Sequence, residues 1–200
     1  ARDEYNGSAM VWMDANENPF KGDYNRYPDP KQDCLKKRIA ELKGIDKSQI
    51  FIGNGSDEAI DLLFRAFCEP SIDKAYAFTP TYGMYKVSAQ INQIEFVGLK
   101  LDDQFNLPSL SKIQKQITAK GLLFICTPNN PTGNTYSLDA IKTISDWFNG
   151  IVVVDEAYID FSENKSAITL IDSTPNLVVL QTFSKAYGLA GLRLGMAFAN

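Results

Sequence analysis

The chain has 200 residues, 44% hydrophobic and 22% charged, enough for one domain that buries roughly 70% of its extended surface. A net charge of −4 argues against a nucleic-acid surface, and no apolar run approaches the roughly 20 residues that cross a bilayer. The complete lack of histidine excludes His-dependent triads and most catalytic zinc sites, and leaves acid–base work to Lys, Tyr, Asp, Glu or a cofactor.

Cys34, Cys68 and Cys126 form no CxxC pair and are expected as small buried thiols in a reducing cytoplasm. The chain opens on Ala1 without a signal peptide, so a missing upstream segment is expected. Residues 1–30, with Asn16-Glu17-Asn18-Pro19 and Asn25-Arg26-Tyr27-Pro28-Asp29-Pro30, read as an irregular arm. Residues 31–200 read as one domain. Its first helix is expected from Pro30 to Lys43, with Leu35, Ile39 and Leu42 inward and Gly44 as the stop.

Ile50-Phe51-Ile52 reads as a strand, then Gly53-Asn54-Gly55-Ser56-Asp57-Glu58 as a turn. A helix follows with Ile60, Leu63, Phe64 and Phe67 on one face. Such a turn presents free N–H groups at the positive end of a helix dipole, which suits an anion, and Ser56 suits either capping or donation to a phosphate. Ala75 to Phe78 is a strand leading to Tyr82 at a strand–helix junction, and Glu95 to Leu99 is another. Leu107 to Lys120 is expected to be helical after Pro108. Leu122 to Cys126 is a strand stopped by Pro128 and Pro131, which stiffen the turn that aims Asn129 or Asn130. Ser137 to Phe148 is a helix, Ile151 to Val154 a strand, Leu177 to Leu180 a strand, and Arg193 to Ala199 a closing strand. This alternation predicts a three-layer α/β fold, a mostly parallel sheet with helices on both faces.

In such a sheet ligands bind beyond the carboxyl ends of the strands. Five polar features fall there: Gly55-Ser56-Asp57, Tyr82, Asn130, Asp155 with Tyr158, and Ser184-Lys185. Each alone also suits a structural role, Asp155 as a cap, Tyr158 as a core ring with a wet hydroxyl, Lys185 as a surface lysine in a Gly-rich turn. A lysine held close to a ligand and partly desolvated favours the neutral, nucleophilic amine. A pyridine aldehyde phosphate fits the whole set: an amine for its aldehyde, a carboxylate for its ring nitrogen, donors for its ring oxygen, an aromatic plate, and Ser56, Ser184 and Arg193 for its phosphate.

The motifs Pro128-Asn129-Asn130-Pro131-Thr132-Gly133, Asp155-Glu156-Ala157-Tyr158 and Ser184-Lys185-Ala186-Tyr187-Gly188-Leu189-Ala190-Gly191-Leu192-Arg193-Leu194-Gly195 resemble, in order and spacing, the fold-type I aminotransferases that use pyridoxal 5'-phosphate. With Gly55-Ser56-Asp57-Glu58, Pro80-Thr81-Tyr82-Gly83-Met84-Tyr85 and the arm motifs, the likeness is greatest to the branch serving histidine biosynthesis. The resemblance implies a cytoplasmic homodimer that transfers an amino group from a small-molecule donor to a 2-oxo acid. It implies Lys185 as the Schiff-base lysine and general base, Asp155 as partner of the ring nitrogen, and Asn130 and Tyr158 as partners of the ring oxygen. Tyr82 would cover the ring beside the substrate. The backbone at Gly55, Ser56 and Asp57, with Thr182, Ser184 and Arg193, would hold the phosphate. Tyr27 would reach a neighbouring subunit's cofactor, and Asn16 would lie near the substrate. Members of the family are longer, so the chain is expected to lack a C-terminal small domain. The competing expectations are a sister enzyme of the same fold, an aromatic aminotransferase or a threonine-phosphate decarboxylase, and a non-catalytic cofactor-binding domain.

Overall fold

The structure, a computed structural model, describes residues 7, 11, 13, 15–20 and 22–200. Twelve elements organise it: α1 (Asp33–Lys43), β1 (Ile50–Asn54), α2 (Ser56–Phe67), β2 (Lys74–Thr79), α3 (Met84–Ile91), β3 (Glu95–Lys100), α4 (Leu110–Gln116), β4 (Gly121–Cys126), α5 (Leu138–Trp147), β5 (Ile151–Asp155), β6 (Leu177–Thr182) and β7 (Leu194–Phe198). The seven strands form one sheet in the order β1-β7-β6-β5-β4-β2-β3. β7 pairs antiparallel with both neighbours and every other pairing is parallel. The sheet is therefore mostly parallel, as the alternation of elements predicts.

The strands are apolar on both faces because helices cover both. Alternate residues of β4 go opposite ways: Leu122, Phe124 and Cys126 pack with Ile60, Phe64 and Ala89 of α2 and α3, while Leu123 and Ile125 pack with Ile39, Ile113 and Ile141 of α1, α4 and α5. Short 3-10 turns, Ile159–Phe161 and Ala167–Ser173, bridge β5 to β6 where the sequence suggests no element.

Several expected elements differ in extent. α1 begins at Asp33, three residues after Pro30, and only Ile39 of its expected apolar stripe is buried; Leu35 and Leu42 face outward. Phe67 is likewise half-exposed at the end of α2. α4 is seven residues long rather than spanning 107–120. Its continuation is cut by the Tyr76 hydroxyl of β2, which accepts the N–H groups of Thr118 (3.1 Å) and Ala119 (3.0 Å) that a longer helix would bond internally. α3 follows the strand–helix junction that the sequence suggests at Tyr82. Cys126 is buried as expected, but Cys34 is exposed and Cys68 only partly covered. Among the described residues no helix is long and apolar enough to cross a membrane.

Candidate active site

The carboxyl ends of β1, β2, β4, β5 and β6 open onto a cleft of about 90 Å³. β7 runs against the others, so its amino end, with Arg193 just before it, lies at this same edge. Thirteen residues line the cleft, and eleven of them are among those singled out in the sequence; Cys126 and Ala157 are the additions.

One end of the cleft is a cup for an anion. α2 starts there, with Gly55 as N-cap at φ 80° and Ser56 and Asp57 in its first turn. A β-carbon on Gly55 would strike the Arg193 guanidinium, and one on Gly195 would strike the backbone of Gly55 and Ser56. These two glycines let the helix terminus and the arginine meet without an intervening side chain. Arg193 itself takes the left-handed conformation, φ 52°, and its Nη1 donates to the Ala190 carbonyl at 3.3 Å. Opposite lies the turn after β6. Thr182 Oγ1 lies 3.0 Å from Ser184 Oγ and accepts the Ser184 N–H at 3.1 Å, so the Thr182 hydroxyl shapes the turn that presents Ser184.

Asp155 ends β5, and only 3% of it is exposed. Its Oδ1 accepts the Ala157 N–H at 3.1 Å and its Oδ2 accepts the Tyr85 hydroxyl at 2.6 Å. Burial pushes this carboxyl above the ordinary range, while the Tyr85 hydrogen bond pulls it back. Tyr85 is fully buried, stacked on Phe124 at 4.4 Å and edge-on to Tyr82 at 5.6 Å. Burial, reinforced by Asp155, holds the Tyr85 phenol well above its usual value, so it acts as a donor. Tyr82 donates to Asp57 Oδ1 at 3.1 Å, and burial pushes its phenol up to about 12.

After β4 the two asparagines divide their work. Asn129 is buried and ties the turn: its Nδ2 donates to the Pro80 carbonyl (3.0 Å) and Thr132 Oγ1 (2.7 Å), and its Oδ1 accepts the Thr81 hydroxyl (2.9 Å). Asn130 is left to line the cleft. Across from it, Lys185 Nζ lies 5.4 Å from the centroid of the Tyr158 ring. Lys185 is exposed, against the expectation of partial desolvation.

Tyr27 and Asn16 stand apart from this cleft. Tyr27 is 74% exposed, its N–H donating to Glu17 Oε1 at 2.7 Å, and Asn16 is exposed as well. Tyr85 is a buried polar partner of the site that reasoning from sequence missed. Its signal was the spacing Tyr82-Gly83-Met84-Tyr85, one helical turn, which sets a second ring behind the first.

The donor cup, the buried carboxylate and the amine suit a phosphorylated pyridine aldehyde in charge and hydrogen bonding. Fold and cleft together define an α/β domain of the fold-type I class. The model of the aminotransferase class I and II family matches residues 3–200, and the chain belongs to that family. It is 52% identical over 200 residues to histidinol-phosphate aminotransferase of Parabacteroides distasonis, covering all of this chain and 58% of that protein. A histidinol-phosphate aminotransferase from Sinorhizobium meliloti, solved in complex with pyridoxal-5'-phosphate, superposes with a TM-score of 0.78 at 25% identity, covering 87% of this chain and 48% of that one. A putative histidinol-phosphate aminotransferase from Erwinia carotovora atroseptica also gives a TM-score of 0.78, at 27% identity over 88% of this chain and 53% of that one. The chain thus spans about 58% of the length of the curated relative from Parabacteroides distasonis.

Proposed function

We propose that this chain is the cofactor-holding part of an enzyme that moves an amino group between histidinol phosphate and 2-oxoglutarate in histidine biosynthesis. The observation that carries the reading is the single cleft lined by Lys185, Asp155, Asn130, Tyr158 and the Ser56–Ser184–Arg193 cup. Histidinol phosphate as a substrate is supported by the names of relatives near 50% identity. No feature of the cleft favours the aromatic, decarboxylating or non-catalytic alternatives. In this reading residues 31–200 are the large domain, residues 1–30 are an arm, and the enzyme is a cytoplasmic homodimer.

Pyridoxal 5'-phosphate, when bound, supplies an electron sink for negative charge at the substrate's α-carbon. The chain's residues divide the work of holding and orienting it. Ser56 and Asp57 offer backbone N–H groups at the start of α2, Gly55 lines the seat with its own N–H held by the Gly53 carbonyl at 2.9 Å, and Ser184 and Arg193 add a hydroxyl and a cation, together a phosphate seat. Asp155 would hold the proton on the ring nitrogen. Asn130 and Tyr158 would donate to the ring oxygen, and Tyr82 would cover a face of the ring beside the substrate. Lys185 Nζ would be the amine presented to the aldehyde and, when free, the base that moves a proton there. Asn16 and Tyr27 act from the arm, Asn16 towards the substrate and Tyr27 towards the second copy's phosphate seat.

The test is the visible absorbance of the full polypeptide loaded with pyridoxal 5'-phosphate. Lys185→Ala is expected to abolish the band near the imine region and to reduce turnover with histidinol phosphate by more than a thousandfold. An unchanged spectrum would sink the assignment. Turnover with phenylalanine or threonine phosphate in place of histidinol phosphate would move it to a sister enzyme.

A further inference from the structure

The site reading leaves the buried phenol of Tyr85 without a role. Tyr85 sits on the first turn of α3, behind the cleft, and its hydroxyl reaches the carboxylate of Asp155 at the end of β5. We propose that Tyr85 is a positioning residue for the cofactor's ring nitrogen, acting through Asp155: its hydroxyl keeps the buried carboxylate ionised and in one orientation. The proposal rests on the cofactor reading given above.

Three observations carry it. First, at 2.6 Å the Tyr85–Asp155 contact has the length of a charge-assisted O–H to carboxylate bond, shorter than an ordinary hydroxyl–oxygen bond. Second, the ring cannot swing away. It is stacked on Phe124 with an interplanar angle of 13°, wedged edge-on against Tyr82 and wholly buried. Third, Asp155 is disfavoured as an anion by its surroundings. Burial raises it first, and the nearby Asp57 carboxylate raises it further. Against these stand the Tyr85 hydroxyl, the Ala157 N–H and the Lys185 charge, in that order. The other titratable groups facing this region are Cys126, a thiol pushed up to about 12 by burial and so neutral, and the phenols Tyr82 and Tyr158. None of these three supplies a positive charge.

A carboxylic acid at position 155 could not hold a proton on a pyridine nitrogen; a carboxylate can. The hydrogen bond from the Tyr85 hydroxyl favours the second. The same ring braces Tyr82, so one side chain of α3 supports both the base of the cleft and the plate over it.

The conservative variant Tyr85→Phe keeps the stack on Phe124 and removes only the donor. In the full polypeptide containing this chain, prepared without cofactor, thermal midpoints would be read from pH 4 to pH 8. Asp155 is raised in the folded state, so the stability it contributes is complete below the unfolded carboxylate value and is lost as pH rises through the folded one. Loss of the donor raises the folded value further. The midpoint deficit of Tyr85→Phe is therefore expected to widen with pH, by about 3–5 °C between pH 4 and pH 8. In the loaded enzyme, the apparent Kd for pyridoxal 5'-phosphate at pH 8 is expected to rise about tenfold. In an Asp155→Asn background the same substitution should change that Kd less than about twofold, because its route of action is gone.

A deficit constant with pH, or an equal effect on Kd in both backgrounds, would overturn the proposal and leave Tyr85 a packing residue. Absence of saturable cofactor uptake by the unsubstituted protein would overturn the cofactor reading itself. The melting profiles need no cofactor and would still decide the Tyr85–Asp155 coupling.

Discussion

Replacing Asn129 with alanine removes two donated and one accepted hydrogen bond from a buried turn, and leaves the Pro80 carbonyl and the Thr81 hydroxyl without that partner. Such loss costs about 2–3 kcal/mol, so Asn129→Ala is expected to lower the urea midpoint markedly. Asn130→Ala changes a side chain at the cleft instead, and its stability should stay within about 0.5 kcal/mol of the parent. Its effect should fall on cofactor affinity, read by fluorescence titration. Adjacent residues of one type are thus separated by the structure into one that ties the turn and one that lines the cleft. The Pro-Asn-Asn-Pro motif itself is symmetrical on this point, and the distinction comes from Thr81 and Pro80, some fifty positions away.

At the scale of elements, the docking of α2 against α3 is held by Asp61. Its Oδ1 accepts Asn92 Nδ2 at 2.8 Å and its Oδ2 accepts Arg65 Nε at 2.6 Å. The Asn92 hydrogen bond holds the carboxyl below its usual value of 3.8. A depressed carboxylate contributes stability that is present above the unfolded value and lost as pH falls through the folded one. Asp61→Asn is therefore expected to destabilise by about 0.5–1 kcal/mol near neutrality, a modest figure because the site is partly wet. The gap to the parent should close as pH drops below 3.8, as followed by thermal melts. A gap unchanged at pH 3 would show that charge is not the cause. Because α2 presents the anion cup and α3 presents Tyr85 and follows Tyr82, this contact also sets how the two halves of the cleft face each other.

At the scale of the whole molecule, the arm stands out for what it leaves uncovered. Phe20, Tyr24 and Tyr27 are each more than 70% exposed, an arrangement that suits burial against a second copy of the chain. In the proposed homodimer, Tyr27→Ala is expected to shift the sedimentation equilibrium toward monomer and to raise the cofactor Kd several-fold. Phe51 of β1 and Leu62 of α2, exposed and outside the cleft, serve as control positions; alanine there should leave cofactor affinity unchanged.

The order of strands and helices was legible because both faces of the sheet are covered, so each strand reads as an apolar run and each helix as an amphipathic stripe. The chemistry-bearing residues were legible for a related reason: each lies just after such a run, and a parallel sheet gathers those ends on one edge. What sequence alone could not decide was any contact set by distant residues. α4 is short because Tyr76 intercepts its amides, and the direction of β7 brings Arg193 to the cleft. Tyr85 belongs with these. Its tyrosine is plain in the sequence, but the hydrogen bond to Asp155 spans 70 positions, and only the folded sheet, which sets α3 behind the end of β5, makes that hydroxyl part of the site.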